Sequence, residues 1–217
     1  MDVLTSNYEK NCRDWQARFL TMDQERLLSL IPGLAREGGD LTLRHFGEKF
    51  AVDAATGAIR SLDRPGPLST TVRLNIYTLF GYASPLAHFR DRWVTFPQLR
   101  NTSVFDAAFR NGILRPLAAT FAGRAGDLRR ALEALDGTPI STSADVGYQV
   151  AAFDCIPVRF LFWDGDEEFP AQANLLFDES ATDFIHGESV VSIASYGLSR
   201  LSELSGLPIA RSAIPVV

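Results

Sequence analysis

Cysteine is nearly absent: the 217 residues hold only Cys12 and Cys155, and neither belongs to a C-x-x-C pair. Two thiols so far apart in sequence cannot form a zinc or iron–sulfur site on their own. They read instead as reduced cytosolic thiols. Lysine is as scarce, with Lys10 and Lys49 the only two among 21 basic residues. The arginine excess is read as compositional bias ahead of phosphate recognition. No apolar run reaches the roughly 18 residues of a membrane span, and residues 1–10 carry no apolar core of a signal peptide. The expectation is a cytoplasmic protein with no membrane partner. The chain also lacks a Gly-rich phosphate loop, a G-x-S-x-G elbow and an H-E-x-x-H pair.

Basic residues are missing altogether from 160–199, where eight of the 26 acids lie. The net charge of −5 therefore comes from one local feature. Such a stretch repels a nucleic-acid backbone and attracts cations, so no nucleic-acid partner is expected. The hydrophobic share, 46%, is that of an ordinary globular chain, and the length fits one large domain.

Periodicity outlines the elements. Tyr8, Cys12, Trp15 and Phe19 recur at helical spacing over 8–20, and a second helix over 23–31 is capped by Asp23 and stopped by Pro32-Gly33. Residues 41–46 alternate as a half-buried strand, and 48–53 with 58–62 read as a hairpin. A helix over 69–82 buries Val72, Ile76, Leu79 and Phe80, and 92–96 forms a short strand. A helix over 104–121 carries possible kinks at Gly112 and Pro116, and one over 127–135 ends at a Gly137 C-cap. Strands follow at 145–153, 157–163 and 173–177, then a helix over 188–204 and a loose tail over 205–217. Strands and helices in blocks predict an α+β fold, a mixed but mainly antiparallel sheet with helices packed on it, in one domain spanning 1–217.

Phe-Trp-Asp-Gly-Asp-Glu-Glu-Phe-Pro at 162–170, followed by Ala-Asn-Leu-Leu-Phe-Asp at 173–178, resembles the core motif of the DUF3786 family of bacteria and archaea. The early Tyr…Trp helix, the Phe-Gly hairpin near 46–60, Trp-Val-Thr-Phe at 93–96 and Leu-Asp-Gly-Thr-Pro at 135–139 look similar too, so the resemblance covers about 8–204. The family's pattern has a glycine pair where this chain has Arg100-Asn101-Thr102, and an acidic pair where it has His186-Gly187-Glu188-Ser189. Some relatives carry iron–sulfur segments, for which this chain lacks the cysteines. The family has no established activity, so the resemblance implies a place to look and no mechanism.

That place is the acidic-aromatic segment. Trp163, Asp164, Asp166, Glu167, Glu168 and Phe169 are the candidate ligand-binding residues, because large apolar groups bracket a run of carboxylates. A carboxylate near a buried edge must be hydrogen-bonded, paired, cation-bound or protonated. One reading is a small-molecule or cofactor site there. A second is a metal-dependent enzyme in which Asp166, Asp178, His186 and Glu188 hold a divalent metal and Glu167 or Glu168 acts as general base. A third is an acidic surface docking a basic protein. Beside all three stands a structural reading: acids shape polar loops, Asp178 serves as a cap, and His45 is a core residue of its strand.

Overall fold

A computed structural model describes residues 3–210, with side chains from residue 7 onward. Helix α1, Val3–Phe19, leads into α2, Gln24–Leu30, whose first free N–H groups meet the Asp23 side chain through Arg26 N–H at 3.0 Å. Four short strands follow as a meander: β1 Ala35–Glu37, β2 Asp40–His45, β3 Glu48–Asp53 and β4 Ile59–Ser61. Helix α3, Thr70–Tyr82, is capped by Ser69. Strand β5, Trp93–Thr95, then opens a second sheet, ordered β5-β9-β8-β7-β6. Its other strands are β6 Thr138–Pro139, β7 Val146–Phe153, β8 Ile156–Trp163 and β9 Gln172–Asp178. All strand pairs in both sheets are antiparallel.

The α+β fold expected from the blocks of strands and helices is thus observed, divided between two sheets. The nearly continuous apolar run over 157–163 suits the central place of β8, where Ile156, Val158, Phe160, Leu161 and Phe162 are all buried. Strands β1 and β6 carry no alternation, because three and two residues are too short to show a period.

The expected helix over 104–121 is broken into three: α4 Asp106–Phe109, a π turn Arg110–Leu114, and α5 Arg115–Phe121. Pro116 has no N–H to give the Gly112 carbonyl, so the ladder slips, and Arg115 N–H bonds to Arg110 C=O, five residues back. Helix α6, Ala125–Glu133, also ends differently from expectation. The left-handed residue is Asp136, with φ +58°, and Gly137 follows it with its N–H on the Leu132 carbonyl at 2.9 Å. Gly137 serves instead by lacking a Cβ, which would sit 2.5 Å from that carbonyl oxygen. Short α7, Ala181–Phe184, and long α8, Gly187–Ser205, close the fold. The tail beyond 210 lies outside the described residues.

One contact ties the two sheets together. The two-residue β2–β3 turn takes positive φ at both Phe46 (+48°) and Gly47 (+76°), the geometry that suits a tight hairpin. Phe46 is bulky and resists that conformation, so something outside the turn must hold it. A bulge in β7 between Ala151 and Phe153 frees the Ala152 carbonyl. It accepts Phe46 N–H at 3.0 Å and His45 Nδ1–H at 2.6 Å. The Phe46 ring meanwhile packs where Gly197 of α8 has no side chain. The buried apolar residues form one hydrophobic cluster that draws on both sheets and on α3 and α8. Among the described residues, no helix is long and apolar enough to cross a membrane.

Candidate functional site

The acidic segment folds as a hairpin loop between β8 and β9, beyond the last register pair Trp163↔Gln172. Its two aspartates, Asp164 and Asp166, turn onto backbone N–H groups. Asp164 accepts Gly123 N–H at 2.7 Å and Gly165 N–H at 2.9 Å, tying the loop to the end of α5. One oxygen of Asp166 accepts Glu168 N–H at 2.8 Å and Phe169 N–H at 2.7 Å. Those donors, Phe169 first, hold the Asp166 carboxyl below the usual carboxylate range. Glu167, Glu168 and Phe169 project into solvent, Phe169 with 62% of its surface exposed, while Trp163 is half-buried at the strand end. The loop is therefore exposed and held by Asp side chains.

Asp178 is buried to 1% exposure at the opposite end of β9. Strands β8 and β9 do form the hairpin that would let Asp178 face the Asp166 loop, but six strand steps separate Asp178 from the loop end, roughly 20 Å. Asp178 accepts Arg90 N–H and Arg92 N–H, each at 3.1 Å, Ser180 N–H at 3.0 Å, and the Ser180 hydroxyl. Burial pushes its pKa up; the Ser180 hydroxyl and these three N–H groups outweigh burial and hold it below the ordinary value. Asp183 pairs with Arg90 at 2.6 Å and Arg100 at 3.0 Å, and Glu179 with Arg92 at 3.1 Å. Two acids of the stretch without bases, Glu179 and Asp183, are thus answered by arginines from the segment around β5.

His186 accepts Glu188 N–H through Nδ1 at 3.3 Å and so caps α8, a role usually filled by Ser, Thr, Asp or Asn. Its ring lies 5.3 Å from that of Tyr82. The four residues expected to share a metal are thus dispersed: Asp166 on a loop, Asp178 at the far end of β9, His186 and Glu188 at the head of α8. Among the described residues, no three His, Cys, Asp or Glu side chains gather so as to hold a metal ion.

His186 and Glu188 do reach a concavity. A groove of about 530 Å³ runs between α1, α3 and α8. Trp15 and Tyr82 form one wall, their ring centroids 5.8 Å apart, and Tyr82 continues to His186. Gly81 permits this wall, since a Cβ there would lie 2.3 Å from the Trp15 ring. Thr70, Thr71, Ser189 and Ser192 supply hydroxyls, and Asn75 lies at the bottom with 1% of its surface exposed.

Asn75 has one free end. Burial pushes the His45 pKa down to about 4, so the ring is neutral. Its Nδ1–H is committed to the Ala152 carbonyl, which makes Nε2 an acceptor. Asn75 Nδ2–H donates to that Nε2 at 3.1 Å. Exchanging the amide's two ends would lose this bond, so the orientation is determined and Asn75 Oδ1 is left buried with no partner. Such a carbonyl costs about 1–3 kcal/mol. His45 is fixed in turn by stacking on Phe153 at 4.1 Å and on Tyr196 at 4.7 Å. The sequence offers one signal for this residue: Asn75 falls on the buried stripe that Val72, Ile76 and Leu79 define, where a polar side chain needs a reason.

A family model described as a domain of unknown function, DUF3786, matches residues 29–200. That span includes His45, Asn75, Tyr82 and His186 but not the α1 wall of the groove. No curated protein and no solved structure matches the chain.

Proposed function

The chain belongs to the DUF3786 family, and from that premise we propose that it is a cytoplasmic small-molecule-binding module whose site is the α1–α3–α8 groove. The observation that carries this reading is Asn75 Oδ1, an acceptor buried without a partner at the bottom of a concavity. Buried polar groups are almost always hydrogen-bonded, so this acceptor calls for a partner, and in a cleft a bound ligand is one that supplies it. The groove's volume falls within the roughly 300–1,000 Å³ typical of small-molecule sites. The His45–Ala152 link supports the reading further, because it holds the Asn75 amide in one orientation before any ligand arrives. A preorganised polar anchor lowers the cost of binding. Both cysteines are free and buried, as a reducing compartment allows.

Native mass spectrometry of the full chain, isolated under non-denaturing conditions, tests this directly alongside the Asn75→Leu variant. Leucine deprives His45 Nε2 of its donor but also removes the orphan carbonyl. These effects are similar in size, so stability should change by no more than about 1 kcal/mol. The expected result is a co-purifying mass on the wild-type chain that is missing from the variant. A wild-type chain that carries nothing, or a ligand retained equally by the variant, would overturn the assignment of the groove.

A further inference from the structure

We infer that the ligand of this groove is a planar, N–H-bearing ring of the nucleobase kind, without a phosphate or carboxylate. This rests on the reading of the groove as a binding site. Four observations define the class.

Asn75 Oδ1 can only accept, so the ligand must bring a donor, N–H or O–H, to the bottom of the groove. The wall that leads down to it is aromatic. Tyr82 keeps 45% of its surface exposed between Trp15 and His186, and Tyr8 faces the groove with 53% exposed. Rings of this kind recognise flat π systems by stacking.

Charge then excludes anions. Among the described residues, no lysine or arginine lines the groove, and Glu188 is the one carboxylate. A phosphate would sit near that charge with no cation to answer it. The N-terminus of α8 is the one feature that could attract an anion. It is already occupied, because Glu188 N–H is capped by His186 Nδ1, Ser189 N–H bonds to the His186 carbonyl at 2.9 Å, and the Glu188 carboxylate stands in the first turn.

An aliphatic ammonium is the remaining alternative, drawn by Glu188 and the tyrosines. It fails at the anchor. An ammonium has three donors and a strong hydration shell, and the bottom of the groove offers one neutral carbonyl. Glu188 is exposed at the rim, so the charge would be desolvated at Asn75 without a counter-ion. A ring N–H needs one acceptor and loses little hydration.

The test is NMR titration of the ¹⁵N-labelled full chain with adenine, cytosine, nicotinamide, adenosine, adenosine 5′-monophosphate and 1,4-diaminobutane. At least one ring compound should give saturable shifts at the Asn75 side-chain amide and the Trp15 indole. Asn75→Leu should abolish the Trp15 shift. Adding the phosphate to adenosine should weaken binding by about tenfold, the effect of a repulsion near 1.4 kcal/mol. Diaminobutane should leave the Asn75 amide unmoved. The class is overturned if the monophosphate binds as tightly as the nucleoside, if diaminobutane shifts Asn75, or if every ring is silent. A silent ring panel beside a co-purifying mass that depends on Asn75 overturns the ligand class alone. Silence in both experiments overturns the groove as well.

Discussion

Asp178→Asn separates a carboxylate that builds the fold from one that waits for a ligand. One Asp178 oxygen takes three donors, Arg90 N–H, Ser180 N–H and the Ser180 hydroxyl, and the other takes Arg92 N–H. An asparagine has one acceptor and one donor end. Its best orientation keeps Oδ1 on the three donors and sets its NH₂ against Arg92 N–H. A buried N–H without a partner costs about 1–3 kcal/mol. The three surviving bonds lose charge assistance, about 0.5–1 kcal/mol each. The sum is about 4 kcal/mol, a large share of the roughly 5–15 kcal/mol that holds a typical domain together. Urea unfolding followed by tryptophan fluorescence measures it: with a slope near 2 kcal/mol/M, the midpoint should fall by about 2 M at unchanged slope. Asp166→Asn is the matched control. One Asp166 oxygen already accepts both loop N–H groups and the asparagine carbonyl can do the same, and because the loop is exposed the lost charge assistance is screened, so its midpoint should fall far less. The reasoning is refuted if Asp178→Asn unfolds with the wild-type midpoint, and refuted in favour of a metal site if it also loses binding of added Mn²⁺.

Three further outcomes follow from buried groups. His45 titrates near 4 in the folded chain against 6.5 ordinarily, so below pH 6.5 the unfolded chain takes up a proton that the folded chain refuses. Stability should therefore fall as pH drops from about 6.5 to 4, by about 3 kcal/mol in total, and His45→Gln should flatten that slope in urea titrations. Glu48 is buried and accepts from Arg64, from Ser61 Oγ at 2.6 Å and from Tyr196 Oη at 3.1 Å. Arg64→Ala leaves that carboxylate without its cation and should cost about 2–4 kcal/mol, with the Glu48→Gln/Arg64→Ala pair recovering part of it. Gly197→Ala places a Cβ 2.7 Å from the Phe46 ring, which cannot retreat without straining its turn, and thermal melting should show a loss of about 1–3 kcal/mol.

Elements governed by short-range physics were legible from residue order. The Asp23 cap uses a side chain and an N–H three residues on, so the pattern lies within one turn. The apolar run of β8, the hairpin over 46–60, the long final helix and the family resemblance are local in the same sense. The site was not. An acidic run states how much charge is present but not which backbone N–H groups it will meet, and at Asp164, Asp166 and Asp178 those donors are supplied only by folding. Pairing of β8 with β9 was foreseeable, yet the length of β9 alone sent Asp178 to the far end and dissolved the expected metal set. The groove depends on still longer reach: Trp15, Asn75 and His186 come from three helices, and Asn75 is aimed by His45, whose other nitrogen is held by Ala152, 107 residues away. Periodicity determined that Asn75 would be buried. Only the tertiary structure decided that one end of its amide would be satisfied and the other left open, because hydrogen-bond satisfaction is a property of the neighbours that packing brings.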